Sequence, residues 1–145
     1  MSGLVGWTTL AALLMASHAL ASDPPRSIAD LPVADAKSLA PAEFGTAAQL
    51  ARRGGTPVEI ALAIAGAFEG SVQHVVQVNE GSESPSASRV TVVRDGLLDD
   101  SVRGERWDIG LARSADRTWT IKEVKRSWRC RRGPQTDRFL AVPCP

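Results

Sequence analysis

The spacing of apolar residues changes twice along this chain, and each change marks a different kind of segment. Residues 4–20 are largely apolar and broken only by short polar side chains. In residues 58–68 the period is helical: Ile60, Ile64 and Phe68 recur every four positions, and Leu62 with residues 65–67 widens the stripe. So broad an apolar face predicts a helix wrapped by other structure on most of its circumference. From residue 72 the period falls to two, and β-branched residues take over. Strands are predicted over 72–78, 90–94, 101–113 and 117–129. A polar loop over 81–88, the turn signal Asp95-Gly96 and a wider loop over 97–100 punctuate them.

The main helix has a legible start. The Thr56 oxygen can accept an orphan amide, Glu59 can reach back in a capping box, and Pro57 suits the first turn. Gly70 is its predicted stop. A shorter helix is predicted over 41–53, with Pro41 at its first position, Arg52 and Arg53 at its negative end, and Gly54 beyond. Gly45 opposes it by about 1 kcal/mol relative to alanine. Residues 22–40 hold Pro24, Pro25 and Pro32, and their apolar residues Ile28, Leu31, Val33 and Leu39 are scattered. They read as an extended or mobile lead-in.

The last two strands carry Trp107, Trp119 and Trp128 and can be registered by parity. Trp107, Ile109 and Leu111 share one face, and so do Trp119 and Ile121. A three-residue loop keeps both sets inward, whereas two or four residues would expose a tryptophan. Taking Ser114-Ala115-Asp116 as that loop sets Leu111 opposite Trp119 and Ile109 opposite Ile121, with Asp116 left-handed. After Ile121 the apolar parity shifts to Val124 and Trp128. A β-bulge near Lys122 or Glu123 would return both to the core; otherwise the sheet ends there. The fold is therefore expected to be α+β, a single domain over 41–145. One main helix, preceded by the shorter one, packs on a curved four-stranded antiparallel sheet.

That element order, over residues 57–129, is similar to the cystatin-like and NTF2-like folds, a likeness that carries no functional residues. The stretch Asp99-Asp100-Ser101-Val102, followed by Trp119, Cys130 and Cys144, also resembles a group of uncharacterised exported bacterial proteins. That second likeness implies no activity.

Composition sharpens the setting. The apolar opening is short for a membrane span, and Ala19-Leu20-Ala21 offers small residues for a signal peptidase, so residues 1–21 read as a signal peptide cut after Ala21. No Lys or Arg precedes Arg26, so the amino terminus alone would supply the positive flank; a buried N-terminal helix is the competing reading. Cleavage leaves 124 of the 145 residues, enough for one cored domain without a transmembrane span. In a periplasmic or secreted setting the two cysteines, Cys130 and Cys144, are expected to pair. The bridge would close a 15-residue loop, a constraint of about 3 kcal/mol on the chain-entropy account. The charge is divided: residues 22–100 carry a net −5 and residues 101–145 a net +6.

Catalytic chemistry finds little to stand on. His74 is the one histidine after residue 21, without any G-x-S-x-G turn, and a structural or solvated role suits it as well. Asp95, Asp99 and Asp100 could offer oxygens to calcium but lack the EF-hand spacing, and aspartates also make turns. No cofactor fingerprint or phosphate loop occurs, so neither a cofactor nor a metal is expected, and the chain reads more as a binding domain than an enzyme. The strongest pointer is basic: residues 117–132 hold seven Lys or Arg against Glu123 alone. Lys125, Arg126, Arg129, Arg131 and Arg132 form the candidate surface for an anionic polysaccharide, a lipid headgroup or an acidic protein face, with nucleic acid not expected in an exported chain. A solvated outer face competes with that reading. The second pointer is the loop from Cys130 to Cys144. Pinned at both ends, it could present a segment to an enzyme as an inhibitor does, or simply staple Phe139 and Leu140 onto the sheet. A small pocket-bearing enzyme of the NTF2-like type is the third reading. What remains for function is then the outward arginines after the bulge and the stapled loop.

Overall fold

A computed structural model describes residues 27–133 and 136–145. The expected signal peptide, the start of the lead-in and the Pro134 of the C-terminal loop lie outside the described residues. The fold is α+β, with two helices and an antiparallel sheet of five strands, rather than four, among the described residues. A 3-10 turn, Ile28–Asp30, leads into β1 (Lys37–Leu39), and a second such turn, Pro41–Glu43, into α1 (Gly45–Arg52). Then come α2 (Pro57–Ala65), β2 (Val72–Glu80), β3 (Ala87–Asp95), β4 (Val102–Arg113) and β5 (Trp119–Cys130). The strands lie in the order β1-β5-β4-β3-β2.

The fifth strand comes from the lead-in. Lys37, Ser38 and Leu39 pair with Arg126, Lys125 and Val124 of β5, so this part of the segment is neither loose nor outside the sheet. Three residues with one apolar side chain are too few for periodicity to reveal, because backbone pairing alone makes the strand. Further back, Val33 bridges Phe139, and Trp128 bridges Leu140. The lead-in and the C-terminal loop thereby tie to each other and to β5. The Cys130–Cys144 disulfide is formed, with its Cα atoms 5.5 Å apart. Phe139, inside the loop it closes, is fully buried.

The helices cover one face of the sheet, here called the inner face. Ile60, Ala61 and Ile64 of α2 pack with Val90, Val92, Trp107, Ile109, Leu111, Trp119, Ile121 and Val124 in one core. Burial of so many large apolar side chains supplies the main driving force, each worth about 1.5–3 kcal/mol. The Thr56–Glu59 capping box forms as expected, with the Thr56 amide donating to Glu59 at 2.7 Å and the Glu59 amide to Thr56 Oγ1 at 3.3 Å. The helix stops earlier than its apolar pattern does. Gly66 adopts φ +73°, a conformation open to glycine, and ends α2 four residues before Gly70. Phe68 therefore lies beyond the helix and is only half-buried.

The final hairpin keeps the expected faces but not the expected partners. Leu111 pairs with Ile121 and Arg113 with Trp119. The loop has three residues, but they are Ala115-Asp116-Arg117: the Ser114 amide bonds the Thr118 carbonyl at 2.9 Å, and Arg117, not Asp116, is left-handed at φ 69°. A slide of two residues preserves parity, which is why alternation could not detect it. Asp116 instead accepts from the Thr118 amide and hydroxyl at 3.1 and 2.7 Å, an Asx-type turn that forces the next residue to take the unusual φ. The bulge falls where parity demanded it. Gly110 pairs with Glu123 and Leu111 with Ile121, so Lys122 is the extra residue. Val124 enters the core, and Trp128 is buried opposite Glu105.

Candidate functional site

Three charged residues on neighbouring strands occupy positions whose parity faces the helices. Arg94 follows Val90 and Val92, Glu105 precedes Trp107 and Ile109, and Arg126 lies between Val124 and Trp128. They form one group at the C-terminal end of α2. The Arg94 side chain, 3% exposed, donates through Nη1 to the Ala65 carbonyl at 2.7 Å and the Ala67 carbonyl at 3.2 Å. Nη2 reaches the Gly66 carbonyl at 2.7 Å, and Nε reaches Gln73 at 2.9 Å. A buried guanidinium thus satisfies the orphan carbonyls of the helix end, where the macrodipole also favours a cation. Glu105 bridges the two arginines, with Oε1 3.0 Å from Arg94 and Oε2 2.7 Å from Arg126. Arg126 lies between two indoles, 4.5 Å from the Trp107 centroid and 4.8 Å from that of Trp128. A cleft of about 460 Å³ opens beside the group, with Glu69, Asp99 and Leu98 on its walls. The inner face is thus apolar under α2 and polar past its end.

The outer face carries a second cleft, also about 460 Å³, floored by Val72 and His74 of β2, Asp95 of β3 and Arg129 of β5, with Arg103 and the lead-in residues Ser27, Ile28 and Leu31 around it. Asp95 receives Arg129 at 2.5 Å and Arg103 at 3.7 Å, so one carboxylate faces two guanidiniums. Arg129 is 7% exposed, and its Nε has no hydrogen-bond partner among the described residues. Nearby on this face Arg106 grips Asp108 with two bonds, at 2.8 and 2.9 Å, and Thr91 adds a third at 2.7 Å. Burial pushes the Asp108 carboxyl up, but the bonds from Arg106 and Thr91 outweigh it, and the group is held below the ordinary aspartate range.

These positions separate the five basic residues expected to act together. Arg126 faces inward under the tryptophans, correcting its outward assignment: a bulge at Lys122 that turns Val124 and Trp128 inward necessarily turns Arg126 inward too. Lys125 is on the other face and binds Glu123 at 2.6 Å. That bond outweighs the small effect of burial and lowers the Glu123 carboxyl. Arg129 is on the outer face but sunk against Asp95. Arg131, exposed just past β5, donates to the carbonyls of Leu97 and, at 2.7 Å, Asp99, and its charge also helps to lower the Asp99 carboxyl. Arg132 is exposed beside it. The five therefore do not share one plane. Arg103, Arg129 and Asp95 share the outer cleft, while Arg126 belongs to the inner group.

Asp95, Asp99 and Asp100 do not converge. Asp99 accepts from the Val102 and Ser101 amides at 2.6 and 2.8 Å, bonds that lower its carboxyl, while Asp95 serves the arginines. Among the described residues no three His, Cys, Asp or Glu side chains are grouped to hold a metal. His74, which lines the outer cleft, is exposed on β2. Sequence reasoning missed Arg94, Glu105 and Arg103, and read Asp95 as a turn residue or calcium ligand rather than as the partner of two arginines. The signal for the first two was present, since a charged residue at core parity on each of three successive strands points to a buried ionic group. No model of a known protein family, no curated protein and no solved structure matches the chain. No helix among the described residues is long and apolar enough to cross a membrane.

Proposed function

We propose that this chain is an exported, non-catalytic binding domain, periplasmic or secreted, that takes anionic groups on its C-terminal hairpin. The outer cleft around Arg103 and Arg129 is the part of that hairpin best fitted to the task. One observation carries the reading: Asp95 is paired with both Arg103 and Arg129, and the Arg103 guanidinium, half exposed and 3.7 Å from that carboxylate, faces the cleft. An accessible guanidinium in such a place favours a carboxylate, sulfate or phosphate oxygen, and a charge-assisted bond of this kind contributes about 1.5–3 kcal/mol. Exposed Arg131 and Arg132 extend positive charge from the end of β5 and suit a polymer longer than the cleft. The disulfide is in keeping with an oxidising compartment. The cystatin-like or NTF2-like arrangement expected from the element order belongs to the same reading.

The test is titration of the protein with inorganic phosphate, a sulfated polysaccharide and vesicles containing anionic lipid, followed by calorimetry or NMR. Binding of phosphate and polysaccharide that weakens about tenfold in Arg103→Gln, and falls with added salt, supports the proposal. Arg103 is half exposed, so its replacement spares the fold. Binding confined to vesicles assigns the anion to lipid. Affinities indifferent to Arg103→Gln, or no binding to any of the three probes, overturn the assignment of the cleft.

A further inference from the structure

Among the described residues β2 is the bare edge of the sheet: it pairs with β3 on one side only, and all nine of its residues are exposed. Val72, Val75, Val76 and Val78 stand 39%, 37%, 47% and 60% exposed, four of the seven large hydrophobic residues left in water among the described residues. Sheet edges are ordinarily guarded by lysine, proline, a bulge or shortness. The opposite edge is guarded in this way, since β1 has three residues. β2 has no Lys, Arg or Pro, pairs with β3 in unbroken register over nine residues, and runs about 30 Å at the usual rise of a strand.

The order of its side chains says what fits beside it. The register with β3 puts His74, Val76, Val78 and Glu80 on the outer face. Read backwards, that row becomes Glu80, Val78, Val76, His74. A second β2 laid antiparallel about a two-fold axis through Gln77 brings His74 opposite Glu80 and Val76 opposite Val78, each pair occurring twice. Valine meets valine at the centre, and a basic or neutral imidazole meets a carboxylate at both ends. Such cross-strand pairs are the favourable unit of an antiparallel sheet. On the inner face the same axis sets Gln77 against Gln77 and Val75 against Asn79. No other chain need supply complementarity, because the strand is complementary to itself.

We propose that β2 is the interface of a homodimer in which two copies pair these strands about the axis through Gln77, joining two five-stranded sheets into one of ten strands. The arrangement is isologous and consumes both bare edges, so it closes at two copies. It pairs neither Arg103 nor Arg129, but Val72 and His74 also line the outer cleft, so the dimer is judged by association alone and not by anion binding.

Sedimentation equilibrium of the oxidised full chain tests it, from one to several hundred micromolar. A monomer–dimer equilibrium is expected. Val76→Lys places a charge at the centre of the interface and at an exposed position of the single chain, so it is expected to abolish dimers while leaving the circular dichroism spectrum unchanged. His74→Glu sets carboxylate against carboxylate at both ends and is expected to weaken association at least tenfold. Glu80→Lys added to it recreates an opposite-charge pair and is expected to recover the affinity to within about threefold. A monomer at every concentration, a dimer that survives Val76→Lys, a double variant no tighter than His74→Glu, or growth beyond two copies each overturns the proposal.

Discussion

Replacing Glu105 by glutamine should be among the most damaging isosteric changes available to this chain. The carboxylate is 7% exposed and bonds Arg94 at 3.0 Å and Arg126 at 2.7 Å, while Arg94 itself is 3% exposed. Glutamine keeps the shape and one acceptor oxygen but removes the only negative charge in the group, leaving two guanidiniums near each other with no counter-charge. Removing one partner of a buried ion pair costs about 3–5 kcal/mol. The lower end applies here, because the α2 carbonyls still hold Arg94 and because Arg126 is 34% exposed. For a domain of this length each kcal/mol lowers Tm by about 4 °C, so a fall of about 12 °C is expected. Guanidinium denaturation followed by tryptophan fluorescence measures it directly, since Trp107 and Trp128 flank Arg126. Glu123→Gln is the control: its pairs with Lys125 and Arg89 are well exposed, and less than about 1 kcal/mol should be lost. Equal losses for the two variants would refute the argument that Glu105 holds the end of α2 to the sheet by charge.

The remaining predictions concern the tail and the outer face. Reducing Cys130–Cys144 should lower unfolding stability by about 3 kcal/mol, as the loop length implies, and Phe139→Ala should cost about 3–5 kcal/mol in the oxidised protein. Both are read from denaturation midpoints with and without reductant; a reduced protein as stable as the oxidised one would show the loop to be held by packing alone. Asp108, with its carboxyl lowered in the folded state, contributes stability that is complete above the unfolded aspartate value of about 3.9 and is lost as pH falls through the folded value. Asp108→Asn should therefore be less stable near neutrality and show a shallower decline below about pH 4 in an unfolding series. Parallel acid limbs would sink that assignment.

Local signals were reliable wherever a local cause decided the outcome. Thr56, Pro57 and Glu59 built their cap because every partner lies within four residues. The tryptophan parity called for a bulge near Lys122 or Glu123, because a one-residue slip exposes an indole at a large penalty, and the register puts it at Lys122. The same argument was blind to the two-residue slide in the hairpin, which costs no change of face. The end of α2 was misjudged because apolar spacing continues to Phe68 while the left-handed Gly66 stops the helix; Arg94, 29 residues away, then takes the Ala65 carbonyl. The candidate basic surface dissolved for a related reason. Lys125, Arg126 and Arg129 look alike as a run of charge, and each finds a different acid, Arg126 on the inner face and Lys125 and Arg129 on the outer.

By itself, then, the sequence determined the element types, the inward faces of the strands, the bulge and the pairing of the two cysteines. Those follow from periodicity, turn chemistry and a count of two. Only the tertiary structure decided that the lead-in supplies a fifth strand and that Arg94, Glu105 and Arg126 form one buried group. It also decided that Asp95 is shared by two arginines and that β2 is left at a bare edge. Each of these depends on which distant segments become neighbours. That is set by the total burial and charge compensation of the folded chain, which no window of adjacent residues contains.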